Sequence, residues 1–174
     1  FQGWADPPLN ATGRAQAVDL SVQLMAEELA AVYSSPLRRA YETAEVVAAS
    51  RGLEPVTVDA LREVDVGSWS GLTRAEIEQR FPEQYARWLD YGQGWEDGET
   101  YEQMVDRVVE ALQELAEARD GERILAVTHG GPMRAASAFA DRVSYAEARR
   151  RSPVVGNTAV LEFAVEAGAL RRLD

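Results

Sequence analysis

The sequence predicts an α/β protein in which a mostly parallel central sheet lies between helices, a three-layer α/β/α sandwich. Short apolar runs of strand length alternate with longer segments in which apolar residues recur every three or four positions. Two of these runs, 31–33 and 123–128, are each followed by residues that favour a helix start. With 174 residues, the chain is long enough for one core. We therefore expect residues 1–174 to form a single domain.

The first half of the chain predicts helices and strands in alternation. In order these are helix 15–30, strand 31–33, helix 37–50 and strand 56–58. The first helix has apolar residues at helical spacing, and we expect this face to be buried: Val18, Val22, Met25 and Leu29. The helix at 37–50 follows Ser35-Pro36, where a hydroxyl and a proline favour helix initiation. The segment 61–72 contains two glycines and is predicted as a loop.

The second half predicts further helices and then a return to strands. In order these are helices 73–80, 82–91 and 100–119, strand 123–128, helix 132–140, a basic helical turn at 149–151, and strands 158–163 and 170–173. The glycine-rich and acidic segment 92–99 is predicted as a loop. The longest helix has an apolar face that we expect to be buried: Met104, Val108, Ala111, Leu112 and Leu115.

Composition and charge exclude several classes of function. The formal net charge of −11 makes nucleic acid an unfavourable partner. The chain has no cysteine and one histidine, too few ligands for an ordinary zinc site, and we expect neither a metal nor a cofactor. No apolar run reaches membrane-spanning length and no signal segment is recognisable, so we expect a cytoplasmic protein without a membrane partner. The sequence leaves open whether the protein is a monomer or a homodimer.

Polar residues follow two predicted strands at the points where helices begin. His129 follows the run 124–128 and precedes Gly130-Gly131, and the segment 34–39 (SSPLRR) follows the strand 31–33. The carboxyl ends of parallel strands share one edge, so we expect the two junctions to meet there. Histidine is the side chain that titrates near neutral pH, and a helix N-terminus attracts anions. A core histidine, solvated arginines and a simple glycine turn remain structural alternatives.

A third candidate is Glu63, in the predicted loop that also contains Trp69. Beside an indole its carboxyl would be desolvated, which raises the pKa and makes the group a proton donor at neutral pH. A surface position is the alternative, since the chain has many acidic residues. Local positive charge for a small anionic ligand is available from Arg38, Arg39, Arg123 and Arg134.

Five segments taken in order resemble the motifs of the histidine phosphatase superfamily, in its phosphoglycerate mutase-like branch. They are 1–9 (FQGWADPPL), 35–44 (SPLRRAYETA), 61–72 (LREVDVGSWSGL), 98–100 (GET) and 128–131 (THGG). The resemblance implies that Arg39 clamps a phosphoryl group, that His129 binds and stabilises it, and that Glu63 is the general acid. Arg38 fits the clamp less well, because in the family pattern the alanine directly follows the clamping arginine.

The resemblance also implies the residues around the phosphate. It places the following at the phosphate pocket: Gln2, Gly3, Gly130 and Gly131. Arg74 matches a basic position that contacts a substrate carboxylate in the mutases. Arginine and histidine would supply the charge that phosphoryl transfer requires, without a metal.

One family motif has no counterpart among these residues. The family's nucleophile is a histidine in an arginine-histidine-glycine motif at the end of the first strand, and the single histidine here matches a different motif. We expect that strand to precede residue 1, because loss of a central strand would expose apolar helix faces and strand edges. A truncated protein without the nucleophile is the alternative.

The resemblance implies a metal-independent phosphomonoester hydrolase that acts on a small phosphorylated metabolite through a phosphohistidine intermediate. Mutases carry a longer insertion between the Glu63 loop and the segment 98–100, whereas this stretch is short here. A 2,3-bisphosphoglycerate-dependent phosphoglycerate mutase is the second reading. A catalytically inactive module that binds a phosphorylated ligand is the third, if the chain is truncated.

Overall fold

A computed structural model describes residues 1–151, 155–166 and 168–173. Seven helices occur in this part of the chain: α1 Ala11–Gln23, α2 Arg38–Ala49, α3 Arg74–Arg80, α4 Pro82–Tyr91, α5 Tyr101–Glu117, α6 Gly130–Ala140 and α7 Tyr145–Arg151. Five strands occur there: β1 Ala31–Ser34, β2 Val56–Thr57, β3 Ile124–Val127, β4 Glu162–Glu166 and β5 Ala169–Leu173. The predicted loop 61–72 contains one short 3₁₀ turn, Gly67–Trp69.

The central sheet is parallel and has the strand order β2-β1-β3. In register, Ala31 lies opposite Ile124 and Ser34 lies opposite Val127. The strands β4 and β5 form a separate antiparallel hairpin. This order places β3 at one edge of the parallel sheet, and the residues of β3 line a large cavity.

Alternate residues of the sheet face two different helix layers, as the period of a strand requires. On one face, Val32 and Leu125 pack with Ala44 and Ala48 of α2. The other face packs with α5 and with the segment before the site: Ala31, Tyr33, Ile124 and Ala126 contact Leu61, Leu112 and Leu115. The predicted α/β/α class with a parallel central sheet is therefore confirmed.

The predicted buried face of α1 is wrong for three of its four residues, and the fourth, Leu29, packs against the core beyond the end of the helix at Gln23. The helix begins earlier than predicted, after Asn10, whose side chain accepts the Gly13 N–H at 2.8 Å. Ala17, Leu20 and Ser21 are buried, while Val18, Val22 and Met25 are 53%, 60% and 67% exposed. The buried residues and the exposed residues both recur at helical spacing. Small side chains on the buried face let α1 approach α2, where the Ser21 and Ser50 hydroxyls form a hydrogen bond of 3.0 Å.

Other differences concern the ends of elements. The strand predicted at 158–163 lies instead at β4, because Thr158 has a positive φ of 56° that a strand does not allow. Helix α6 begins at Gly130 rather than at residue 132, since proline is tolerated in a first helical turn. In α5, Met104, Val108 and Ala111 are buried as predicted.

Trp69 is fully buried in a large aromatic cluster. Its indole N–H donates to Gln84 at 3.0 Å, and its rings lie near Phe1, Tyr85 and Trp95. This cluster fixes the loop 61–72 against α4 and α5. Within the described ranges, no helix has the length and apolarity to cross a membrane.

Candidate active site

A cavity of about 1510 Å³ is lined by both β3 and the β4–β5 hairpin. Apolar side chains from α1, α5 and these strands form much of its wall: Leu20, Leu24, Leu112, Leu125, Val127, Phe163 and Val165. Where β3 ends, the lining becomes polar. There the cavity brings together six predicted site residues: Gln2, Gly3, Arg39, Glu63, His129 and Gly130.

His129 and Ser35 connect the two strand-to-helix junctions. His129 Nε2 lies 2.8 Å from Ser35 Oγ, and both residues are buried. Ser35 Oγ also accepts the Leu37 N–H at 3.2 Å. When the Ser35 hydroxyl donates its proton to Nε2, the neutral imidazole carries its own proton on Nδ1. The prediction that the two junctions meet at one edge of the sheet therefore matches the geometry.

The imidazole of His129 is held neutral. Burial, and then the nearby charges of Arg39 and Arg107, lower the pKa of His129 from 6.5 to about 3. A neutral imidazole can donate Nδ1–H to an anion without requiring a counter-ion when the site is empty.

This pKa makes the stability of the protein dependent on pH. His129 takes up a proton on unfolding, so its contribution to stability is present above pH 6.5 and is lost as the pH falls towards about 3. We expect the free energy of unfolding of the wild type, relative to His129→Asn, to decrease across this window by up to about 1.4 kcal/mol per pH unit. Urea unfolding of both proteins from pH 8 to pH 4 measures the difference. Parallel pH profiles would contradict a buried neutral histidine.

The guanidinium of Arg39 is half-buried at the start of α2. Its Nη1 donates to the Ala5 carbonyl at 2.8 Å and its Nη2 donates to the Gly3 carbonyl at 2.9 Å. Nε–H and one N–H on each terminal nitrogen remain for an anion. Burial lowers the pKa of Arg39, and the charges of Glu63 and Asp6 oppose that shift. The side chain is therefore fixed in place, and three of its N–H groups remain available for an anion.

The carboxyl group of Glu63 is enclosed although the residue keeps some exposure. Oε1 accepts the Val64 N–H at 2.9 Å, and Oε2 accepts the Gly131 N–H at 3.3 Å. Burial raises the pKa of Glu63, more than those bonds and the charges of Arg39 and Arg134 lower it. The direction is the one predicted. The cause, desolvation, is also the one predicted, but the carboxyl is enclosed against the start of α6, where it accepts the Gly131 N–H.

Gly131 is required where Glu63 meets α6. A Cβ atom at this position would collide with Glu63 Oε1 and would lie 3.1 Å from Met104 Sδ. Gly131 therefore contributes to the site by admitting the carboxyl group, and it does not line the cavity itself.

The remaining basic candidates are engaged with other groups. Arg38 is exposed and pairs with Glu42, and Arg123 pairs with Glu27 at the opposite end of β3. Arg74 does not line the cavity, and its guanidinium lies 5.7 Å from the Trp88 ring centroid. Arg134 is close enough to Glu63 to affect its pKa, and it donates to the Tyr145 hydroxyl at 3.1 Å.

Three residues at the site have no role in the sequence predictions. The Trp4 indole N–H and Arg107 both donate to the peptide carbonyl of Glu63. Arg107 is also paired with Glu99. Trp4 and Glu99 lie in the motif segments 1–9 and 98–100 but were given no role, and Arg107 gave no signal. No cluster of three or more His, Cys, Asp or Glu side chains suited to a metal ion occurs in the part of the chain that the structure describes.

Comparison with known proteins identifies the family. The model of the histidine phosphatase superfamily, branch 1, matches residues 1–173, and the chain belongs to this superfamily. It is 35% identical over 137 residues to phosphoserine phosphatase 1 of Hydrogenobacter thermophilus, covering 78% of this chain and 65% of that protein. It is 39% identical over 140 residues to a metal-independent phosphoserine phosphatase of Arabidopsis thaliana, covering 78% and 59%.

A solved structure agrees over almost the whole chain. YhfR of Bacillus stearothermophilus superposes with a TM-score of 0.90 at 32% identity, covering 99% of this chain and 86% of that one. The chain spans less than two thirds of the length of the two phosphoserine phosphatases.

Proposed function

We propose that the protein is a metal-independent phosphomonoester hydrolase that acts on a small phosphorylated metabolite through a phosphohistidine intermediate. The observation that carries this proposal is the meeting of Arg39, His129 and the carboxyl of Glu63 at one end of the cavity. A guanidinium, a neutral imidazole with an N–H to donate, and a carboxyl of raised pKa are the groups that a phosphoryl transfer without a metal requires.

We also propose that a strand preceding residue 1 completes the single domain. The cavity supports this, because both β3 and the hairpin line it and its wall is largely apolar. A strand there would pair with the edge of β3 and would cover the side chains of this strand, which are only partly buried. Its carboxyl end would lie beside His129, which is where the family's nucleophilic histidine is required.

The reaction would proceed in two balanced steps. In the first, the histidine nitrogen forms a bond to phosphorus, the phosphorus–oxygen ester bond breaks, and Glu63 gives its proton to the departing oxygen. Arg39 and His129 would stabilise the equatorial phosphoryl oxygens. In the second, water forms a bond to phosphorus as the phosphorus–nitrogen bond breaks, and the carboxylate of Glu63 takes the proton of that water.

The proposed substrate carries a carboxylate besides its phosphate. The names of the two phosphoserine phosphatase relatives support this class. Arg74 is the residue proposed to meet the carboxylate. It lies next to the site rather than in it. Its guanidinium lies over the Trp88 ring, and that ring packs at 5.0 Å against the ring of Phe1, which lines the cavity.

Hydrolysis of phosphoserine by the full-length protein, with a chelator present, tests the proposal. We expect inorganic phosphate to be released at the same rate with and without the chelator, and an acid-labile phosphoenzyme to be trapped by rapid quenching. Loss of activity in chelator would overturn the metal-independent mechanism. Interconversion of phosphoglycerates without phosphate release would favour the mutase, and phosphoserine binding without turnover would favour an inactive binding module.

A further inference from the structure

We propose that Glu99 and Arg107 form a brace that positions the proton donor. The brace holds the acid loop, residues 60–65, which carries Glu63. Glu99 and Arg107 are positioning residues, since they act on the backbone of this loop rather than on a substrate. The proposal rests on the role of Glu63 as general acid in the proposed function.

The guanidinium of Arg107 is fully occupied by the acid loop and by Glu99. It projects from α5 and donates to the carbonyl oxygens of Ala60 at 2.6 Å, Arg62 at 3.0 Å and Glu63 at 3.1 Å. The remaining N–H groups donate to both carboxylate oxygens of Glu99. Every N–H of the side chain has a partner, so Arg107 is not free to clamp a phosphate. Its geometry is that of a backbone support.

Glu99 holds the other end of the same loop. Its carboxylate accepts the Asp65 N–H at 2.9 Å, and its own N–H donates to the Asp65 carbonyl at 3.0 Å. The pair of Glu99 and Arg107 is mostly shielded from water, with side chains 16% and 22% exposed. An ion pair of this kind loses much of its value when one partner is removed, because the other charge stays desolvated.

The brace explains the Gly98-Glu99-Thr100 motif, which the proposed chemistry leaves without a purpose. A Cβ atom on Gly98 would collide with the Asp65 carbonyl oxygen, so glycine permits this close approach. Thr100 caps α5 by accepting the Gln103 N–H at 3.1 Å. The three residues together fix the start of α5 against the acid loop.

Movement of the acid loop would move the proton donor. The Glu63 carboxyl is held at Gly131 of α6, while the Glu63 peptide carbonyl is held by Arg107 and by the Trp4 indole at 2.8 Å. Loss of the brace removes one of the two hydrogen bonds on this carbonyl, together with the support of Ala60, Arg62 and Asp65 on either side of it. A displacement of about 1 Å at a catalytic group costs on the order of 10²-fold in rate.

The kinetic test compares two substrates in Arg107→Lys, which keeps the positive charge but cannot reach three carbonyls and a carboxylate together. General-acid catalysis accelerates the reaction most when the leaving group is poor. We expect kcat/KM for phosphoserine to fall on the order of 10²-fold, and kcat/KM for p-nitrophenyl phosphate to fall far less. Arg123→Lys, the same change in a distant ion pair, should leave the ratio of the two values unchanged. An equal fall for both substrates in Arg107→Lys would overturn the positioning role.

A second measurement does not depend on turnover. We expect the carboxyl pKa of Glu63, followed by ¹³C NMR in the full-length protein, to fall towards its ordinary value in Arg107→Lys as water reaches the group. Glu99→Gln, which keeps the shape of the side chain, tests the other half of the brace if Arg107→Lys fails to fold. An unchanged pKa in a folded variant would overturn the brace. If the wild type hydrolyses neither substrate, the proposed function fails while this titration still decides the brace.

Discussion

Replacement of Arg39 by alanine is expected to lower kcat/KM for phosphomonoester hydrolysis by about 10³-fold or more. The charge of Arg39 acts on the pKa of both Glu63 and His129. Its contacts with the Gly3 and Ala5 carbonyls set its direction before a ligand arrives, so its charge needs no reorganisation in the transition state. Steady-state kinetics with phosphoserine and p-nitrophenyl phosphate measure the loss.

Arg38→Ala is the matched control for this prediction. Arg38 is the neighbouring residue, also at the start of α2, but it is exposed and is paired with Glu42. We expect this variant to keep activity close to that of the wild type. Arg39→Lys should recover only a small part of the rate, because an ammonium group cannot reproduce the planar fork. Equal losses in Arg38→Ala and Arg39→Ala would assign the effect to α2 rather than to the phosphoryl group.

The Arg39→Ala variant should also raise the pKa of His129. The charge of Arg39 is the second cause of the low pKa of His129, after burial. This effect can be followed by ¹H NMR of the imidazole, without any substrate.

The edge of the sheet where the site lies was predictable from the sequence for a physical reason. Parallel strands end at the same edge, so polar residues after 31–33 and after 124–128 were expected at one edge of the sheet. They come into contact because β1 and β3 are neighbouring strands. The contact between Ser35 and His129 is the direct result. Glu63 belongs to a loop and not to a strand end. It became a candidate because desolvation near Trp69 was expected to raise its pKa, and its role as general acid at a phosphoryl group came from the resemblance to a family.

The buried face of α1 was not predictable from periodicity. Two stripes of the helix have the same spacing, and the more apolar one, with Val18 and Val22, is exposed. The buried stripe contains Ala17 and Ser21, whose advantage is small size at a close helix contact. Hydrophobic periodicity measures apolarity, whereas close packing also depends on volume, and only the partner helix reveals that requirement.

The Glu99–Arg107 brace could not be predicted from the sequence, for a different reason. Arg107 occurs in a helix with acidic residues on either side, where solvated arginines are common. Its three carbonyl partners lie more than 40 positions earlier in the chain. Backbone carbonyls are present at every residue, so no sequence pattern identifies the ones that a side chain will bind.

Replacement of Glu63 by glutamine is expected to lower kcat/KM for phosphoserine by about 10²- to 10⁴-fold, the usual contribution of a general acid. The loss for p-nitrophenyl phosphate should be much smaller, because its leaving group departs without a proton. A carboxamide can still accept one of the two N–H groups now bound by the carboxyl, but its NH₂ group must face the other. Glu45→Gln, an exposed position on α2, is the control for the same chemical change.

The pH dependence separates a lost proton from a displaced loop. Glu63 donates its proton only while it is protonated, so kcat/KM of the wild type should decrease as the pH rises through the raised pKa of this group. In Glu63→Gln that decrease should disappear, because no proton is lost there. An unchanged alkaline limb in this variant would assign the titration to another group.

The second step should make the same variant accumulate phosphoenzyme. With p-nitrophenyl phosphate the first step needs little acid, while the attack of water still needs the carboxylate of Glu63 as a base. We therefore expect a burst of p-nitrophenol in Glu63→Gln, equal to the amount of enzyme and followed by slow turnover. A linear release without a burst, at a rate equal to that of the wild type, would remove Glu63 from both steps. Arg107→Lys leaves the Glu63 carboxylate in place, so it should show a smaller burst than Glu63→Gln. The ratio of the two burst amplitudes measures how much of the contribution of Glu63 to the rate depends on its position.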